Sequence, residues 1–262
     1  QAARHALEQW DDVLREQERR RLEFTRASAA RHVRHRGQLP LPHPSWFDEL
    51  LGPQRLRYLA HMVQHAADTG QPDPDALLGW VARELAPVTS WRHVFGPHLR
   101  LAGALGRFFY VHRADLEADI TLQRLAAHGW LELGQHDELS FPITRLYTLT
   151  SVLAHEEPAR AERLLEEVSA LEARSSREPS VYADLARARA LIALGRHEPA
   201  RSLVDPIACD VHGARDVLRA RAMRLYLRLQ THPDVRAEIH ARLTELAEQD
   251  HSCRIMLCVH DL

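Results

Sequence analysis

The chain has 262 residues, enough to bury a sizeable core in one or two domains. With 45% hydrophobic and 27% charged residues it has the balance of a folded globular protein, and no apolar run approaches a membrane span. The formal net charge of -2 excludes a bulk electrostatic pull towards nucleic acid or acidic lipid. All 34 basic residues are Arg. Without Lys, a Walker A lysine, a kinase β3 lysine and a Schiff-base amine are excluded together. The 11 glycines form no GxGxxG, GxSxG or P-loop, and the acidic residues follow helical surface spacing, as ion-pair partners of Arg do. The expectation is a chain with no catalytic residue and no cofactor. Three cysteines fit a reducing cytoplasm, and the start at Gln1, with no secretory leader, predicts a cytoplasmic piece of something longer.

Residues 1–37 predict one long charged helix, with Leu7, Trp10 and Leu14 at helical spacing and a basic end from Arg31 to Arg36 closed by Gly37. Residues 38–97 predict a helical region that begins with a proline-rich break at 38–46. Pro53 suits a helix start, after which Leu56, Leu59 and Val63 form a buried stripe. A second helix starts near Asp75, with Leu77, Leu78, Val81 and Leu85 inward.

Residues 98–141 change rhythm. Two helical stretches lead to an alternation, Leu131 and Leu133 before Gly134, then Leu139 and Phe141 after it. That pattern predicts a hairpin of two short strands, and a helix running into such a hairpin predicts a winged-helix-like element. A winged helix admits DNA binding as an alternative function. Its charge argues against nucleic acid, because Arg113 and Arg124 face Asp115, Glu117, Asp119, Glu132, Asp137 and Glu138.

Residues 142–250 read as antiparallel helix pairs. In 181–207, Ala188 is small where one helix must approach its partner, Gly195 makes the turn, and Ala200 fills a second close-packed point. This resembles a tetratricopeptide unit, and the pair beginning at Val217 follows it with an offset of 35 residues. Upstream, Glu157-Pro158-Ala159-Arg160 echoes Glu198-Pro199-Ala200-Arg201. The fold expected is mainly α, a right-handed tetratricopeptide-like solenoid preceded by the winged-helix-like element and the N-terminal helical region. Residues 251–262 form an apolar tail that reads equally as a capping helix or as the first strand of a further domain.

In a tetratricopeptide unit the first helix lines the concave groove. That places Tyr182, Leu185, Arg189 and Ile192 inward, and the offset adds Val217, Ala220, Arg224 and Leu227. Arg189 and Arg224 would stack as a pair suited to a carboxylate or phosphate, or would pair with acids of adjacent helices. Among metal candidates, His61 and His65 share a helix face without a third ligand. His251, Cys253, Cys258 and His260 offer four zinc donors, but without a turn between the cysteines they point apart.

The run from Leu122 to Leu149 followed by Ala190 to Ala200 is similar to the C-terminal half of STAND-type regulatory ATPases, which include MalT-like activators. The resemblance covers roughly the last 160 residues at motif level. It implies a winged helix that packs against a nucleotide-binding module and helical repeats that sense a ligand or partner. This chain carries no P-loop, so the implied role is that of the sensing region without the nucleotide-binding domain. The expected function is binding of a protein or peptide in the helical groove.

Overall fold

The computed structural model describes residues 52–69, 74–88, 94–175, 179–209, 215–231, 234 and 236–249. These residues form ten α-helices and no strand. The long helix expected over 1–37, the proline-rich break and the tail with His251, Cys253, Cys258 and His260 lie outside them. The chain divides into two units between Asp119 and Ile120. Among the described residues no helix is long and apolar enough to cross a membrane.

The first unit holds α1 (Gly52–Thr69), α2 (Pro74–Leu85) and α3 (Gly96–Arg113). The expected stripe of Leu56, Leu59 and Val63 is buried, and so are Leu77 and Val81 of α2. Leu78 and Leu85 are half-buried. α1 packs on both α2 and α3. Arg55 Nε donates to Glu84 Oε2 at 2.7 Å across α1 and α2, and His112 Nε2 donates to the Ala66 carbonyl at 2.9 Å across α1 and α3. At the start of α3 the backbone N–H of Phe95 donates to His98 Nδ1 at 3.3 Å, with the Phe95 ring edge-on to the imidazole. α3 ends at Ala114, whose φ of 51° is left-handed, the conformation in which a Cβ crowds the following carbonyl.

Next comes α4 (Leu116–Glu132), whose first turn is capped by Asp115 Oδ1 accepting from the Ala118 N–H at 2.9 Å. The second unit continues with α5 (His136–Glu156), α6 (Pro158–Ala173), α7 (Val181–Ala193), α8 (His197–Ala208), α9 (Arg215–Thr231) and α10 (Arg236–Gln249). α5 packs against α6 and α7, α7 against α8 and α9, and α9 against α8 and α10. Ala188 and Ala200, the small residues expected at close approaches, are fully buried.

The strand hairpin expected over 131–141 is not there. Leu131 lies in the last turn of α4, and Leu139 and Phe141 lie in the first turns of α5. Between them Gly134 takes φ 63°, with Gly134 N–H donating to Leu131 O and Gln135 N–H to Trp130 O, both at 3.0 Å. This paired pattern closes a helix C-terminus on a left-handed residue. Gly195, at φ 71°, closes α7 in the same way, through Gly195 N–H to Ile192 O and Arg196 N–H to Leu191 O. The alternation of apolar residues was misleading because they do not share a buried face. Leu139 is buried, whereas Leu133 and Phe141 are exposed. A winged helix needs its wing, and among the described residues there is none.

Candidate interaction surface

Two contacts fix how the middle helices of the second unit lie. Ser140, near the start of α5, shares a 2.8 Å hydrogen bond with Ser180, the residue that caps α7 by accepting from the Ala183 N–H. Farther along, Tyr147 of α5 and Arg187 of α7 meet on one carboxylate oxygen of Glu172 in α6. The tie points advance in the same sense along both helices, so α5 and α7 run parallel. α6, which follows α5 after the single residue Glu157 and brings Glu172 back to Tyr147, runs against them.

The Glu172 contact is a polar knot in an apolar setting. Tyr147 is fully buried and donates its hydroxyl to Glu172 Oε2 at 2.8 Å, while Arg187 Nη1 stands 3.6 Å from the same oxygen. Burial pushes the Tyr147 hydroxyl well above the usual tyrosine range. Burial also raises the Glu172 carboxyl, against the lowering effects of the Tyr147 hydrogen bond and the Arg187 charge. Asp184, on the first turn of α7, is raised by burial as well, with Arg187 opposing.

The same alignment brings large apolar side chains to the surface at one end. Phe141 is 49% exposed beside Ser140, and Val181 and Tyr182, 43% and 57% exposed, follow Ser180. Phe141 and Tyr182 each stand 16 residues before the Glu of the repeated Glu-Pro-Ala-Arg, near the starts of two parallel helices. Sequence reasoning missed Phe141 because it was assigned to a strand. The echo of Leu133-Gly134-Gln135-His136 in Leu194-Gly195-Arg196-His197 was the signal that would have placed it on a helix.

No protein-family model, curated protein or solved structure matches the chain.

The expected groove residues divide. Tyr182 is exposed, and Arg189 and Ile192 are half-buried on α7. Leu185, Val217, Ala220 and Leu227 are buried and belong to the core, because α7 and α9 pack on each other where a groove was expected. Arg224 is exposed on α9 and donates through Nη1 to Cys209 Sγ at 3.4 Å. Of the histidine pair, His61 and His65 are both half-buried on α1. No group of three or more metal-binding side chains occurs among the described residues.

A further feature lies between α6, α7 and α8. There a cleft of about 540 Å³ has polar side chains from all three segments, including Ser169, Arg187, Arg196 and Ser202.

Proposed function

We propose that this chain is a non-catalytic, tetratricopeptide-like interaction or sensor segment of a cytoplasmic regulatory protein, and that it binds a protein or peptide partner along α5 and α7. The observation that carries the reading is the exposure of Phe141, Val181 and Tyr182 at one end of two parallel helices tied by Ser140 and Ser180. Contiguous large apolar groups left at a surface mark contact sites more often than chance, and aromatic residues are enriched among interface anchors. Arg189 and Ile192, half-buried on α7, would extend the contact towards the middle of the helix. The antiparallel succession of α5, α6, α7 and α8, with Ala188 and Ala200 at close approaches, supports a right-handed solenoid in which such a surface repeats. The alternative of a DNA-binding regulator rested on a strand hairpin that the described residues do not contain.

The test is selection of peptides from a displayed random library on the whole protein, followed by titration of the selected peptide. Phe141→Ser and Tyr182→Ser should each weaken binding by roughly tenfold or more. As substitutions at exposed positions, both should leave stability within about 0.5 kcal/mol. Equal affinity for wild type and both variants would overturn the assignment.

A further inference from the structure

The cleft between α6, α7 and α8 uses none of the exposed residues discussed above and is lined by a set of side chains with its own chemistry. Its volume of about 540 Å³ falls in the range of small-molecule sites. Leu165, Leu191 and Leu203 supply apolar wall and Arg187 and Arg196 supply donors, while the Ser169 and Ser202 hydroxyls in the lining already bond to Tyr147 and to the Glu198 carbonyl. The decisive side chain is Arg187. Its buried Nε makes no hydrogen bond among the described residues, the side chain as a whole is 36% exposed, and the ion pair that its guanidinium makes with Glu172 is long, at 3.6 Å. A partly exposed guanidinium held by one long ion pair can take a further acceptor on its Nη atoms. Arg196 reaches Glu162 Oε2 at 3.2 Å with both side chains partly in solvent, a pairing weak enough for a ligand to share.

The charge of the ligand follows from the lining. The two guanidinium groups favour an anion, and the forked guanidinium suits a planar carboxylate. Glu166, which also lines the cleft, repels a second negative charge. The leucines select an aliphatic stem. We propose that this cleft binds an aliphatic monocarboxylate, with its carboxylate on Arg187 and Arg196 and its stem on the leucine wall. Two sources present that chemistry, a free short-chain acid and the C-terminal residue of a peptide. Through Glu172 and Tyr147, Arg187 connects the cleft to α6 and α5, so occupancy bears on the helices that carry Phe141 and Tyr182.

The experiment titrates the whole protein with hexanoate, hexanol, hexylamine and inorganic phosphate, and separately with acetyl-leucine and acetyl-leucinamide, by ligand-observed NMR. Hexanoate should bind at least about tenfold more tightly than hexanol, and acetyl-leucine likewise against its amide. Whichever acid binds more tightly identifies the source, and either ranking supports the site. Arg187→Gln should weaken acid binding by about tenfold or more. Because Arg187 also holds Glu172, a second variant is needed. Ser202→Trp, at an exposed lining position, should block the cleft and abolish binding while leaving the melting temperature in place. Binding of hexanol or hexylamine as tight as that of hexanoate would overturn the proposal. So would preference for phosphate, or unchanged hexanoate binding by Ser202→Trp. None of these results bears on the peptide titration with Phe141→Ser and Tyr182→Ser, so the two readings fail separately.

Discussion

Alanine at the two left-handed glycines should destabilise the second unit by an amount that the backbone alone determines. Gly134 and Gly195 hold φ 63° and 71°, and a Cβ added at either meets no atom within 4 Å. The cost of alanine is therefore not a clash with a neighbour but the local strain of an L-residue in this conformation, roughly 1–2 kcal/mol. Alanine also restricts the unfolded chain, which returns about 0.4–1 kcal/mol. The net loss should be about 1 kcal/mol at each position, or about 2–4 °C in melting temperature for a chain of this size. Asparagine tolerates the left-handed region better, so Gly195→Asn should fall between wild type and Gly195→Ala. The two turns share no residue, and their losses should add to within about 0.5 kcal/mol in the double variant. Urea and thermal unfolding followed by circular dichroism measure all of these. An alanine variant as stable as wild type, or an asparagine variant no better than alanine, would refute the reasoning.

Tyr147→Phe removes the donor from a buried carboxylate and should cost about 1.5–3 kcal/mol, read from the urea midpoint. A loss below about 0.5 kcal/mol would mean that the hydroxyl does not hold Glu172. Burial raises the folded-state values of Glu172 and Asp184 above their ordinary 4.5 and 3.8. A raised carboxyl stabilises the fold most when protonated, and that contribution is lost as pH rises through the raised value. On acidification from neutrality these two groups therefore add stability, and Glu172→Gln should flatten that gain in a pH series of unfolding midpoints. His98 behaves in the opposite sense. Burial holds it below its ordinary 6.5, and its Nδ1 accepts from the Phe95 N–H, so its contribution is present above 6.5 and is lost as pH falls through the depressed value. Comparing hydrogen exchange of the α3 amides in wild type and His98→Gln across that range should show the wild type losing protection on acidification and the variant changing less. Ala114→Gly should stabilise the first unit by about 0.5–1 kcal/mol in thermal unfolding, because it relieves a left-handed alanine.

Helix positions and core stripes were legible in the sequence where periodicity and chain breaks agreed. Leu56, Leu59 and Val63 after Pro53 are buried as their spacing requires, and the Gly195 turn with Ala188 and Ala200 on either side could be read residue by residue. The misreading at 131–141 came from treating a two-residue period across a glycine as a strand signal. In four apolar residues that period also fits the end of one helix and the start of the next, and only comparison with the Gly195 turn separates the two. The groove was half legible for a similar reason. An offset in sequence identifies equivalent positions but not how deeply each is covered, so Val217 and Ala220 were placed on a surface that neighbouring helices bury. The Glu172 knot left no local signature at all, because Tyr147, Glu172 and Arg187 come from three helices and meet only when these pack.

The hydrogen bond between Ser140 and Ser180 sets the start of α7 beside the second turn of α5, about one helical turn in from the start of α5 itself. Each helix start carries a partial positive charge of roughly half a unit from its aligned peptide dipoles, so two starts at the same end of neighbouring helices repel weakly. Asp137 and Glu138 in the first turn of α5 and Asp184 in that of α7 put carboxylates where this repulsion is greatest. Acids in the first turns of these two parallel helices thus offset like charge at the same end. In such an array the aromatic residues at that end, Phe141 and Tyr182, stand in a field set jointly by the dipoles and their counter-charges, and exchanging those acids for amides would alter how a charged partner meets them.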